Sequence, residues 1–183
     1  PWNDDLNHGG QYGVGETDST MLGNRRWSAA DAYLHPARRR PNLKVITGAR
    51  ALRVIIAGSK AAGVEYAAGG RIENITASRE VILSGGAVNS PQLLQLSGIG
   101  DPNHLAPLGI AVVHDLKGVG LNLQDHPAMT VKQLCTQPIT LLTQTGPITS
   151  ALQVARYFLT GGGSAAYHGG EAQMLVKTRP EVI

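Results

Sequence analysis

The apolar run Val81-Ile82-Leu83 reads as a buried strand, and Ser84-Gly85-Gly86-Ala87 after it carries almost no side chain. A chain leaving a sheet edge on such residues lets a ligand approach the backbone closely. Ser90 is a favoured helix N-cap and Pro91 a favoured first helical residue, so a helix is predicted from there. Leu93, Leu94 and Leu96 give it an apolar side, and Gly98 supplies a left-handed stop. Asp101-Pro102 repeats the cap-plus-proline start for a second, short helix. Strand, bare turn and capped helix are the parts of a nucleotide site at the end of a sheet.

The period differs elsewhere. Residues 1–24 are polar and glycine-rich and read as an extended loop. Ser28, with Asp31 three positions on, resembles a capping box and predicts a helix that Pro41 ends. From Leu43 apolar and polar positions alternate. The runs 52–57, 62–67 and 71–77, the last two bracketing Ala68-Gly69-Gly70, predict an antiparallel meander of three or four strands. This meander is inserted before a strand at 80–83. Further strands are expected at 111–115, 129–134 and 171–177, with a loop at 118–127 and an amphipathic helix at 149–159. Gly161-Gly162-Gly163-Ser164 reads as a flexible break or a lid hinge. The fold class expected is mixed α/β.

Composition narrows the function classes. A length of 183 residues allows one domain, or one and a fraction. The net charge of +3 owes much to Arg38-Arg39-Arg40 and Lys44. No aromatic residues interleave that run, so it reads as a solvated helix end rather than a nucleic-acid surface. Cys135 is the only cysteine, which excludes an intrachain disulfide and suggests a reducing compartment. The histidines at 8, 35, 104, 114, 126 and 168 have no metal-ligand spacing, and no metal is expected. No secretory signal or transmembrane segment is visible. The location expected is cytoplasmic, or peripheral to a membrane. The chain starts at Pro1 without an initiator Met and stops at Ile183 just after an apolar stretch, so an internal segment of a longer protein is expected.

Gly13-Val14-Gly15, Gly98-Ile99-Gly100 and Gly118-Val119-Gly120 each begin like a dinucleotide fingerprint, but Asp18, Asn103 and Leu123 stand where its third glycine belongs. The primary pyrophosphate cradle is therefore absent from the sequence. A Ser/His/Asp triad on a GxSxG elbow is also absent.

The run Gly86 to Gly100 resembles a signature of the glucose–methanol–choline (GMC) oxidoreductases, flavoenzymes that oxidise alcohols with FAD. Other segments resemble the same family in the same order: Asn24 to Leu34, Pro41-Asn42-Leu43 with Thr47-Gly48-Ala49, Ala62 to Tyr66, Arg79 to Ser84, Leu105 to Ile110, and Gly118 to His126. The likeness is greatest to the choline and alcohol dehydrogenase branch and weakens after about Cys135. It implies that residues 1–134 are the C-terminal part of a Rossmann-like FAD-binding domain with an inserted β-meander. Residues 135–183 would begin the substrate-binding domain.

The resemblance also assigns candidate roles. The turn Ser84-Gly85-Gly86-Ala87 would approach the ADP half of FAD; alanine is usual in the family where Gly85 stands. Ala51 falls where the family has a small apolar residue, usually valine, whose backbone pairs with the adenine edge. Asn122 and His126, in the loop Asn122-Leu123-Gln124-Asp125-His126, would bond flavin or order a lid. Read without the resemblance, a bare glycine turn is more often structural than ligand-bearing, Ala51 is an ordinary strand residue, and a lone histidine such as His126 is more often a hydrogen-bonded structural residue than a general base. No catalytic residue is expected in the chain: the family's base is a histidine paired with a second His or an Asn, which would lie beyond Ile183. The activity implied is oxidation of a CH–OH group, choline-like or primary alcohol, with oxygen, a quinone or another carrier as electron acceptor. An FAD-containing hydroxynitrile lyase of the same fold, or a truncated binding module, is the alternative.

Overall fold

The computed structural model describes residues 1–8, 10–166, 170, 172–177 and 179. The chain divides into two compact units, residues 1–43 with 131–183, and residues 44–130. His168, Glu171 and Ile183 lie outside the described residues.

The first unit begins with more order than the expected loop. Strand β1 (Gly13–Glu16) is followed by a two-residue hairpin, β2 (Met21–Leu22) against β3 (Arg25–Arg26). Ser28 and Asp31 form the expected reciprocal cap: Ser28 N–H donates to Asp31 Oδ2 at 3.0 Å, and Asp31 N–H donates to Ser28 Oγ at 3.2 Å. The turns that follow are a π-helix, Ala30–Leu34, and then α1 (His35–Ala37). The helix ends well before Pro41. Pro36 at its first turn and the three arginines after it leave a short, solvated element.

The second unit holds the meander. It has three antiparallel strands in the order β4 (Ala49–Ala57), β5 (Lys60–Ala68), β6 (Arg71–Thr76). Gly69 and Gly70, at φ +55° and +77°, make the tight β5–β6 turn the dipeptide predicts. The ladder of β4 and β5 skips one residue at Leu52. Segments 43–48 and 80–83 form no strand, because a strand needs a hydrogen-bonded neighbour and no described residues pair with them.

After the bare turn, α2 (Gly86–Leu96) starts five residues earlier than Pro91. Gly85, not Ser90, occupies the cap position, while Ser90 Oγ reaches back to accept the Gly85 N–H at 2.9 Å. Pro91 thus lies inside the helix. The predicted stop holds: Gly98 has φ +80°, and an added Cβ would collide with the Ala111 carbonyl. Strand β7 (Ile99–Gly100) leads into α3 (Pro102–Leu105), where Asp101 accepts from Asn103 N–H at 3.0 Å as its sequence predicts. The strand expected at 111–115 is reduced to β8 (His114–Asp115), parallel to β7. Leu105 is fully buried beside Gly100.

Residues 129–134, where the chain passes back into the first unit, form no strand, and the Leu134 side chain is 98% exposed. Helix α4 (Pro147–Thr160) contains the amphipathic segment expected. Its polar side is the anchored one. Tyr157 donates to the Asn24 carbonyl at 3.2 Å, and Gln153 Oε1 accepts from Ser164 N–H at 3.1 Å. Its apolar side, with Ile148, Leu152, Phe158 and Leu159, is exposed. Strand β9 (Ala172–Leu175) pairs antiparallel with β1.

Two outcomes follow. Ser97, 6% exposed, accepts the Val54 N–H at 2.8 Å and donates to the Leu93 carbonyl at 2.5 Å. Ser97→Ala leaves a buried donor unpaired, so it is expected to destabilise by about 1–3 kcal/mol in denaturant unfolding. The 183-residue chain expressed alone, with its α4 face bare, is expected to bind a hydrophobic dye and to self-associate in light scattering. A monodisperse, dye-silent chain would contradict that.

Candidate cofactor cleft

The second unit contains a cleft of about 900 Å³. One wall is the edge strand β4, from Ala49 to Leu52. The other is the segment Val81 to Gly85 with one face of α2, from Asn89 to Leu96. Ala51, Ser84 and Gly85 all line it, although some thirty residues of sequence separate the first from the others. The skipped residue at Leu52 explains how β4 meets the cleft, since a bulge bends its strand and re-aims the side chains beside it.

Beyond the cleft lining, two charges of the β4–β5 hairpin pair with each other. Arg53 grips Glu65 across the β4–β5 ladder with two hydrogen bonds, Nε to Oε1 at 3.0 Å and Nη2 to Oε2 at 2.9 Å. These bonds hold the Glu65 carboxyl below its ordinary range and raise Arg53. Tyr66 donates to Glu73 at 2.8 Å, which raises its hydroxyl. In the first unit, the bonds from Ser28 lower Asp31.

The glycines of the turn differ. Gly86 has φ +79° and open space where a side chain would stand. At Gly85 that space is taken: an added Cβ would lie 3.0 Å from the Asn89 Cβ and 3.2 Å from the Ser90 nitrogen. Gly85 is thus bare so that the turn can fold onto its own helix. Alanine there, the usual residue of the resembled family, would press on Asn89.

Gly86 does not line this cleft, and Ala87 falls on the other side of α2. There Ala87 and Asn122 share a second cleft of about 550 Å³ with Gln95, His104 and Gln124. Gln92 lines both, so α2 is the common wall. Asn122 has φ +58°, the only positive φ among the described non-glycine residues. Asparagine tolerates that conformation better than most residues. His126 lines neither cleft; its N–H is held by Asp125 Oδ1 at 2.8 Å.

Sequence reasoning passed over Arg50, Asn89 and Gln92. Their signal was available. Asn89, Leu93 and Leu96 recur at helical spacing on one side of α2, and Ala87, Pro91 and Gln95 recur at intervals of four on the other. Arg50 directly precedes Ala51. Among the described residues no three His, Cys, Asp or Glu side chains could hold a metal, and no helix is long and apolar enough to cross a membrane.

An edge strand, a bare turn and a helix wall enclosing an apolar cleft define part of a nucleotide-binding α/β domain. The family is shown by comparison: a model described as GMC oxidoreductase matches residues 1–128, and the chain belongs to that family. It is 47% identical over 169 residues to human mitochondrial choline dehydrogenase, covering 91% of this chain and 28% of that protein. It is 43% identical over 177 residues to the oxygen-dependent choline dehydrogenase of Rhizobium johnstonii, covering 97% and 32%. Among solved structures, formate oxidase superimposes with a TM-score of 0.79 at 27% identity, covering 94% of this chain and 30% of the other. An FAD-dependent oxidoreductase from Chaetomium thermophilum gives 0.72 at 29%, covering 87% and 29%. The chain thus spans about three-tenths of the length of these relatives.

The left-handed backbone at Asn122 separates two roles for that residue. Asn122→Gly keeps the backbone and removes the side chain, so it should leave unfolding unchanged within about 0.5 kcal/mol. Asn122→Ala should cost about 1 kcal/mol or more. Flavin retention in the full-length enzyme then reads the side chain alone: loss in the Gly variant with stability intact marks a ligand contact.

Proposed function

We propose that these residues form part of an FAD-dependent oxidoreductase that oxidises a CH–OH group of a choline-like or primary alcohol. The observation that carries this reading is the cleft that sets Ala51 opposite Ser84 and Gly85 in a chain of the GMC family. The names of the relatives support it, two being choline dehydrogenases and one an FAD-dependent oxidoreductase.

The residues present suit the adenosine half of FAD. Ala51 offers backbone groups on an edge strand, Ser84 and Gly85 form a wall nearly without side chains, and leucines line the floor. Gly86 and Ala87 hold the turn at the head of α2. Asn122 and His126 belong to the loop that would neighbour the flavin. When bound, FAD would supply the two-electron acceptance that converts an alcohol to a carbonyl compound. This chain's own part is to bind and orient. The pyrophosphate fingerprint and the histidine that takes the hydroxyl proton are assigned to other parts of the full-length enzyme, so the 183 residues alone are inert. Residues 1–134 belong to the FAD-binding domain and 135–183 to the start of the substrate-binding domain, a division supported by the family match stopping at residue 128. Oxygen, a quinone or another carrier serves as acceptor. The lone, exposed Cys135 thiol suits a reducing compartment, cytoplasmic or at the periphery of a membrane.

The full-length protein is expected to purify with FAD, and choline or a primary alcohol should bleach its flavin absorbance anaerobically. A protein without flavin sinks the reading. Retained flavin that no alcohol bleaches would instead favour the hydroxynitrile lyase chemistry, which has no net redox.

A further inference from the structure

The 900 Å³ cleft is lined by fifteen residues, and Arg50 is the only one with a formal charge. The rest of its surface is leucine, isoleucine, valine, alanine and Gly85, with Ser84, Asn89, Ser90 and Gln92 as neutral polar groups. A lone cation at an apolar slot calls for an explanation. Structural pairing does not provide one. The Glu65 carboxylate of the same hairpin is engaged by Arg53, and no ion pair among the described residues involves Arg50. Its cross-strand neighbour is Ala67, which offers neither charge nor bulk. The side chain is exposed and directly precedes Ala51 on β4, next to the irregularity at Leu52.

Two ligand groups suit an unpaired guanidinium: an anion and an aromatic face. A diphosphate is normally held by a nest of backbone N–H groups or several cations together. This cleft offers one cation and apolar walls. A guanidinium is planar and weakly hydrated, so it keeps favourable contact with a flat ring while the opposite face of the ring rests on aliphatic side chains. We propose that Arg50 is a specificity residue that clamps the adenine ring by its guanidinium plane against the apolar wall of the cleft. It thereby selects an adenine dinucleotide over a flavin mononucleotide. The inference rests on the cofactor reading above and adds to it a side chain that discriminates between cofactors.

The test uses the full-length enzyme freed of flavin and titrated with FAD and with riboflavin 5′-phosphate, read by flavin fluorescence, with ADP as a competitor. Arg50→Ala should weaken FAD and ADP about tenfold and leave riboflavin 5′-phosphate unchanged. Arg50→Lys, which keeps the charge but not the plane, should recover little of the loss. Wild-type affinity for FAD in Arg50→Ala overturns the proposal. So does an equal loss for both flavins, which would report general damage to the fold. Full rescue by lysine overturns it as well, since a point charge would then suffice, as on a phosphate. If the wild-type protein itself binds neither FAD nor ADP, the cofactor reading fails first, and Arg50 with it.

Discussion

Ser97 stands where the end of α2 meets the edge of β4. Its hydroxyl accepts the N–H of Val54, on the free edge of β4, and donates to the Leu93 carbonyl in the last turn of α2. Both Ser97 and Val54 are buried. One oxygen therefore closes the accounts of a strand edge and a helix end, each of which leaves backbone groups unpaired. Because the candidate cleft has β4 as one wall and α2 as the other, this joint ties its two walls together. The bulge at Leu52 and the Arg53–Glu65 pair then set how β4 enters the cleft. Few other apolar side chains of the second unit are buried, so the junction rests on directional bonds more than on a large core.

What the sequence made legible were the features governed by local chemistry. Asp101-Pro102 starts a helix because a carboxylate accepts a first-turn N–H and proline has none to waste. Gly69-Gly70 turns a hairpin because two left-handed residues are needed there. Ser28 and Asp31 cap reciprocally for the same kind of reason. Elements whose existence depends on a distant partner were not legible. Residues 80–83 and 129–134 have strand-like sequences, yet a strand is a relation between two segments. The start of α2 was misplaced because Ser90 and Pro91 make a good local cap. Gly85 and Gly86 allow the helix to begin earlier, and Ser90 then caps the turn from within.

The site was legible only in part. The bare turn at 84–87 could be singled out by its lack of side chains, but its apposition to Ala51 is tertiary and came from family resemblance. The fourfold spacing along α2 could have divided that set further. Ala87 belongs with Asn122 on one side of the helix, and Ser84 and Gly85 belong with Ala51 on the other. His126, the other candidate of that loop, lies at neither cleft. The arginine that the cleft does contain was hidden in plain view beside Ala51, because a strand arginine reads as surface until the wall opposite it is known.

Pro91 inside α2 carries a last consequence. Having no N–H, it cannot bond the carbonyl four residues back, which is that of Ala87. The helix is thus continuous in shape but not in its ladder, and the break falls in the turn that separates the two clefts. The first turn of α2 therefore lacks one of the backbone bonds that the turns near Ser97 keep. A helix so built is tied to the sheet by a side-chain bond at its Ser97 end and has one ladder bond fewer in the turn between the two candidate clefts.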